Sequence, residues 1–77
     1  MAIRQRGYLN QELGKRIKAA RLDAGLTLEA LADKCDGIGF NTIYKIENGS
    51  INITVERLIH ISRAIKVTIP VLLKGLM

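Results

Sequence analysis

Helix-capping residues and helix-ending glycines alternate along this chain at short intervals, a punctuation that leaves no room for a long element. Asn10, Thr27, Thr54 and Thr68 can each accept a hydrogen bond from a first-turn N–H, while Gly25 and Gly49 sit where a left-handed residue ends a helix. Between these marks, apolar residues recur every three or four positions. Leu13, Ile17, Ala20 and Ala24 draw one stripe on a helix from Asn10 to Ala24, with Glu12 near its positive end and Lys15, Arg16, Lys18 and Arg21 on other faces. A second helix starts at Thr27 and runs to Lys34 or Cys35, with Leu31 and Ala32 inward, and Asp36-Gly37 makes a turn. The third spans Phe40–Asn48 on Ile43 and Ile46; the fourth runs from Val55 to Lys66 on Val55, Leu58, Ile61 and Ile65. The fifth follows Thr68, with Pro70 in its first turn, where a missing N–H costs nothing. Ile51–Val55 is β-prone, but no stretch reads as a strand. The expected fold is all-α: five short helices over residues 10–77, preceded by a basic arm, residues 1–9, that carries Arg4 and Arg6 and is disordered in the free protein.

Seventy-seven residues hold one domain with a small core. A single cysteine forbids an internal disulfide, and no His/Cys cluster can hold a metal, so stability rests on helix packing or oligomerisation. Twelve Lys and Arg against seven Asp and Glu give a net charge of +5, which favours polyanions: nucleic acid or an acidic membrane surface. No apolar run approaches the roughly 18–20 residues that span a bilayer, and MAIRQRGYLNQ lacks the apolar stretch of a secretory signal, so a soluble cytoplasmic protein without membrane partners is expected. One histidine, no Ser-His-Asp arrangement, no glycine-rich phosphate loop and no carboxylate pair argue against an enzyme, so no catalytic residue and no cofactor are assigned. Cys35 belongs to the core, and His60 is a solvated residue on the outer face of the fourth helix.

Two short helices joined by a tight glycine-containing turn are the ingredients of a helix-turn-helix, here Thr27–Cys35 and Phe40–Asn48. Ala32 allows the close crossing; Leu31, Ile38, Ile43 and Ile46 lock the pair. Phe40, Asn41, Tyr44, Lys45 and Asn48 then face outward, an amide, aromatic and cationic set suited to base edges, thymine methyls and phosphates.

The stretches LGKRIKAARLDAGLTLEALADKC and IGFNTIYKIENG resemble the helix-turn-helix of phage repressor, Cro and related bacterial transcriptional regulators, over about residues 10–73. The resemblance implies a five-helix, lambda-repressor-like domain whose third helix lies in the major groove of double-stranded DNA. It implies that Phe40, Asn41 and Lys45 read bases, with Tyr44 on the neighbouring exposed position, and that Thr27 and Asn48 hold phosphates. It also implies a buried ion pair of Arg21 with Glu47. The helix N-termini at Thr27 and Gly39 and the loop Asn48–Asn52, with Ser50, supply further backbone contacts. The chain departs from the family in several places. Leu28 stands where many relatives carry Gln, Gly39 replaces a Ser or Thr cap, the turn at Asp36-Gly37-Ile38 is one residue longer, and Lys66 replaces a glycine after the fourth helix. Phe40 cannot make a bidentate hydrogen bond, so it meets a thymine methyl or a sugar.

The last segment carries more apolar residues than one core stripe requires, so Val71, Leu72, Leu76 and Met77 are expected in a homodimer interface. A two-fold dimer would set two recognition helices about 34 Å apart on a palindromic operator. No effector domain is expected after the fifth helix. Such a protein would be bacterial or from a phage, a phage switch or a restriction–modification controller, repressing or activating. The alternative is a protein-interaction module on the same scaffold, antitoxin-like or a complex subunit, with incidental DNA affinity; apolar Leu28 and Phe40 favour it.

Overall fold

The computed structural model describes the backbone of residues 2–76 and the side chains of residues 8–76. The described chain is helical, in the order α1 (Ala2–Asp23), α2 (Leu28–Lys34), α3 (Phe40–Glu47), α4 (Val55–Ile65) and α5 (Ile69–Leu73). Helix α1 is the spine, touching α3, α4 and α5, while α2 packs between α3 and α4. At about 1.5 Å per residue α1 is about 33 Å long, which accounts for the 37 Å long axis of the molecule.

Capping chemistry sets the starts. Thr27 Oγ1 accepts from Ala30 N–H at 3.0 Å and Thr54 Oγ1 from Arg57 N–H at 3.1 Å. Thr68 occupies the corresponding place before α5 without making that bond, and Pro70 lies in the first turn. The stops of α1, α3 and α4 share one pattern, in which an N–H two or three residues past the helix reaches back five positions: Leu26 to Arg21, Ser50 to Lys45 and Val67 to Ser62. The pattern needs a left-handed residue just before that N–H. Gly49 supplies it after α3 with φ 73°, whereas Lys66 adopts φ 59° after α4 despite its side chain. A left-handed non-glycine residue costs about 1–2 kcal/mol, and glycine's greater freedom when unfolded returns about half of that. Lys66→Gly is therefore expected to stabilise the domain by about 0.5–1 kcal/mol, raising the melting temperature by about 2–8 °C. A lower melting temperature would show that the Lys66 side chain contributes more than its backbone costs.

The core gathers one to three side chains from each helix. Ile17, Leu31, Ile43 and Ile61 are fully enclosed, and Leu13, Cys35, Ile38, Ile46, Leu58, Ile65 and Leu72 complete it. Burial pushes the Cys35 thiol above its ordinary range, so this cysteine is a packing residue, as expected.

Several expectations change. Helix α1 does not begin at Asn10: the backbone is helical from Ala2, so residues 2–9 continue the helix rather than trail from it. Ala2, Gln5, Arg6 and Leu9 are good helix formers. Asn10 instead donates from Nδ2 to Asn52 Oδ1 at 2.6 Å, and Glu12 is not in a first turn. The apolar stripe of α1 stops one turn early: Ala24 is exposed beyond the helix end, and the inward position after Ala20 belongs to Arg21. Val55, the first residue of α4, points to solvent, and His60 is half-buried rather than solvated. Arg16 is not a free surface cation. Its guanidinium donates to the carbonyls of Leu72 (3.2 Å) and Lys74, tethering the end of α5.

Leu72 is 3% exposed and is therefore a core residue, not part of an interface. Leu76 also packs against the core, Val71 is open to solvent, and Met77 lies outside the described residues. No helix among the described residues is long and apolar enough to cross a membrane.

Candidate nucleic-acid interface

The orientation of α3 follows from which of its side chains the core takes. Ile43, Ile46 and Glu47 are buried, all on one side. At about 100° per residue, Asn41 and Lys45 then fall within roughly 30° of the opposite direction and Asn48 slightly farther, while Tyr44 and Phe40 lie roughly 70° and 110° round on one shoulder. The exposures agree: Asn41, Lys45 and Asn48 are open to solvent, with Tyr44 at 54% and Phe40 at 46%. The outward edge thus carries an amide, an ammonium and a second amide, flanked by a row of two aromatic rings.

Three contacts fix this edge in space. Arg21 and Glu47 meet in two parallel bonds, Nε to Oε2 at 2.8 Å and Nη2 to Oε1 at 3.2 Å, and Arg21 Nη1 donates to the Leu26 carbonyl at 2.8 Å. Both residues are 7% exposed, so the buried ion pair expected from the family resemblance is present in a paired, fully bonded form. With Glu47 neutralised inward, Lys45 is the one net charge on the exposed face of α3.

The second contact was not anticipated. Gly14, buried in mid-α1, lies against the end of α3 so closely that a Cβ there would stand 2.4 Å from Ile46 O and 2.7 Å from Glu47 O. A glycine inside a helical pattern often marks such an approach, and this was the available sequence signal. The third contact is at Gly49, where an added Cβ would stand 2.9 Å from Gln11 Cα, so α1 also abuts the loop after the recognition helix.

Thr27, Gly39, Asn48, Ser50 and Asn52, the groups expected at a DNA backbone, are all exposed. Thr27 uses its oxygen to cap α2, which leaves its hydroxyl hydrogen free to donate outward. Gly39 precedes α3 and offers no side-chain cap to its first-turn N–H groups, of which that of Thr42 bonds back to the Gly39 carbonyl. Asn48 and Ser50 are exposed; Asn52 is exposed too, although its side-chain oxygen is engaged by Asn10. Leu28 is partly buried against the core, which accounts for its apolar character without a protein partner. Lys15 pairs loosely with Glu12 at 3.4 Å on the surface, a contact worth little. The described residues contain no group of three potential metal ligands.

A helix-turn-helix family model matches residues 17–72, well over half the chain, from the middle of α1 into α5. Searches among curated proteins and among solved structures return no match. The match spans the elements that bury Ile43 and Ile46 and present Asn41 and Lys45. The chain belongs to the Cro/C1-type helix-turn-helix family of DNA-binding transcriptional regulators, a family of binding proteins rather than of enzymes.

Proposed function

We propose that the protein recognises a specific palindromic operator as a homodimer, each protomer laying α3 in the major groove and regulating a gene by occupancy. The observation that carries this is the division of α3: its apolar side is enclosed, while Asn41 and Lys45 are exposed. Asn41 and Lys45 read base edges by hydrogen bonding, with Phe40 and Tyr44 beside them. Thr27, the N-terminus of α3 at Gly39, Asn48, Ser50 and Asn52 set the register on the phosphates. The net charge of +5 per chain supplies long-range attraction to the duplex. Dimerisation uses the exposed Val71, since Leu72 is taken by the core. The protein works in the cytoplasm of a bacterium, on host or phage DNA.

The test is a salt titration of binding to duplexes selected from a random library. For a dimer making about 6–10 phosphate contacts, affinity is expected to fall about a thousandfold or more between about 50 and 200 mM salt. Asn48→Ala should weaken all duplexes alike. Failure to bind any duplex at low salt would instead favour a protein-interaction module on this scaffold.

A further inference from the structure

The two aromatic residues of α3 form a feature that hydrogen-bond readout does not use. Phe40 and Tyr44 are four residues apart, on the same shoulder of the helix, and each leaves about half its surface in solvent. Neither ring is needed by the core, whose α3 contribution is Ile43 and Ile46, and the two stand together on one side of the helix rather than singly.

We infer that Phe40 and Tyr44 are methyl readers: each packs on the C5-methyl group of a thymine, so that the operator is specified in part by apolar contact. The inference rests on the reading of α3 as the major-groove helix and deepens it. When Asn41 and Lys45 point at the groove floor, Tyr44, about 70° round, faces a groove wall, and Phe40, about 110° round in the first turn, lies at the rim of that wall. A thymine C5-methyl projects on that side, near the backbone of its own strand, and it is the apolar mark among the base edges of the major groove. The rings stand about 6 Å apart along the axis, close to two base-pair steps of about 3.4 Å each. Each half-site should therefore hold two such thymines about two base pairs apart. Tyr44 keeps its hydroxyl free at the ring's outer end for a phosphate oxygen, whereas Phe40 has no polar atom, so its contact is apolar alone.

The test uses the duplex that the intact protein selects from a random library, with each thymine replaced singly by deoxyuridine. This removes one methyl group and leaves every hydrogen-bonding atom in place. Replacement at a methyl-read position should weaken binding about fourfold, the value of burying one such group. Phe40→Ala should abolish the thymine–uracil difference at one position of each half-site, and Tyr44→Ala at another. Thymine and uracil duplexes bound equally well throughout would overturn the inference while leaving DNA recognition standing. So would a selected motif without thymine, or a uracil penalty unchanged in both variants. A protein that selects no duplex removes the groove-bound α3, and the methyl contacts with it.

Discussion

Gly14→Ala is expected to melt at least about 10 °C below the parent protein. Two effects oppose each other at this position. Alanine is the better helix former, by about 1 kcal/mol, and alone would raise stability. The new Cβ, however, would stand 2.4 Å from Ile46 O and 2.7 Å from Glu47 O, which are backbone atoms that cannot rotate aside. Relief requires α1 and α3 to separate, opening the contact that seats Leu13 and Ile17 beside Ile46. Overpacking costs about 1–3 kcal/mol, more where backbone is the obstacle, so the net loss should be about 2–3 kcal/mol. A domain of this size holds only about 4–12 kcal/mol in total, so thermal or urea unfolding will resolve the change. A melting temperature equal to or above the parent's would mean that the two helices do not meet backbone to backbone.

Glu47→Ala should do greater damage. Its carboxylate is the partner of a guanidinium that is itself almost wholly buried, and removing it strands that charge in the core. Breaking a buried pair from one side costs about 3–5 kcal/mol, which brings the domain close to unfolding at ambient temperature. The loss reflects the orphaned cation more than the strength of the bond. Accordingly, Arg21→Met combined with Glu47→Leu should recover most of the stability that the single change destroys. A Glu47→Ala protein that melts like its parent would show that Arg21 reaches water and that the pair does not hold α3 to α1.

These two sites also mark where sequence reasoning ends. The starts of α2, α3 and α4 were legible to the residue because a helix start is local: Thr27 and Thr54 satisfy N–H groups three positions away. The inward side of α3 was legible because Ile43 and Ile46 share one side and the turn before them is short. Contacts across long stretches of chain were not. Periodicity assigns the inward position after Ala20 to Ala24, because nothing in a local pattern favours an arginine there. The partner that makes Arg21 acceptable lies 26 residues away, and family resemblance supplied it. Gly14 looks like a weak point of α1 until α3 is laid across it. Leu72 misled for a different reason. In the apolar run after Thr68 every residue competes for the core, and a helix of five residues buries just one fully. The start of α1 was missed because the helix begins well before Leu13, its first buried apolar residue among those described.

Of the expected site residues, Asn41, Lys45 and Asn48 are exposed along the outer edge of α3, whereas Leu72 is enclosed in the core and Leu28 packs against it. Phe40, which apolarity alone left ambiguous, takes its meaning from standing beside Tyr44 on one shoulder.

The central claim is that the outer edge of α3 reads DNA sequence, and Lys45 lies on that edge with no partner inside the chain among the described contacts. The direct measurement is a selection of bound duplexes from a random library by the parent and by Lys45→Ala in parallel. The account predicts a palindromic motif for the parent, and a variant that loses preference at one position of each half-site, by about 1–3 kcal/mol, with the other positions intact. Identical motifs from the two proteins would place Lys45 outside the groove and contradict the orientation of α3 on which the functional reading depends.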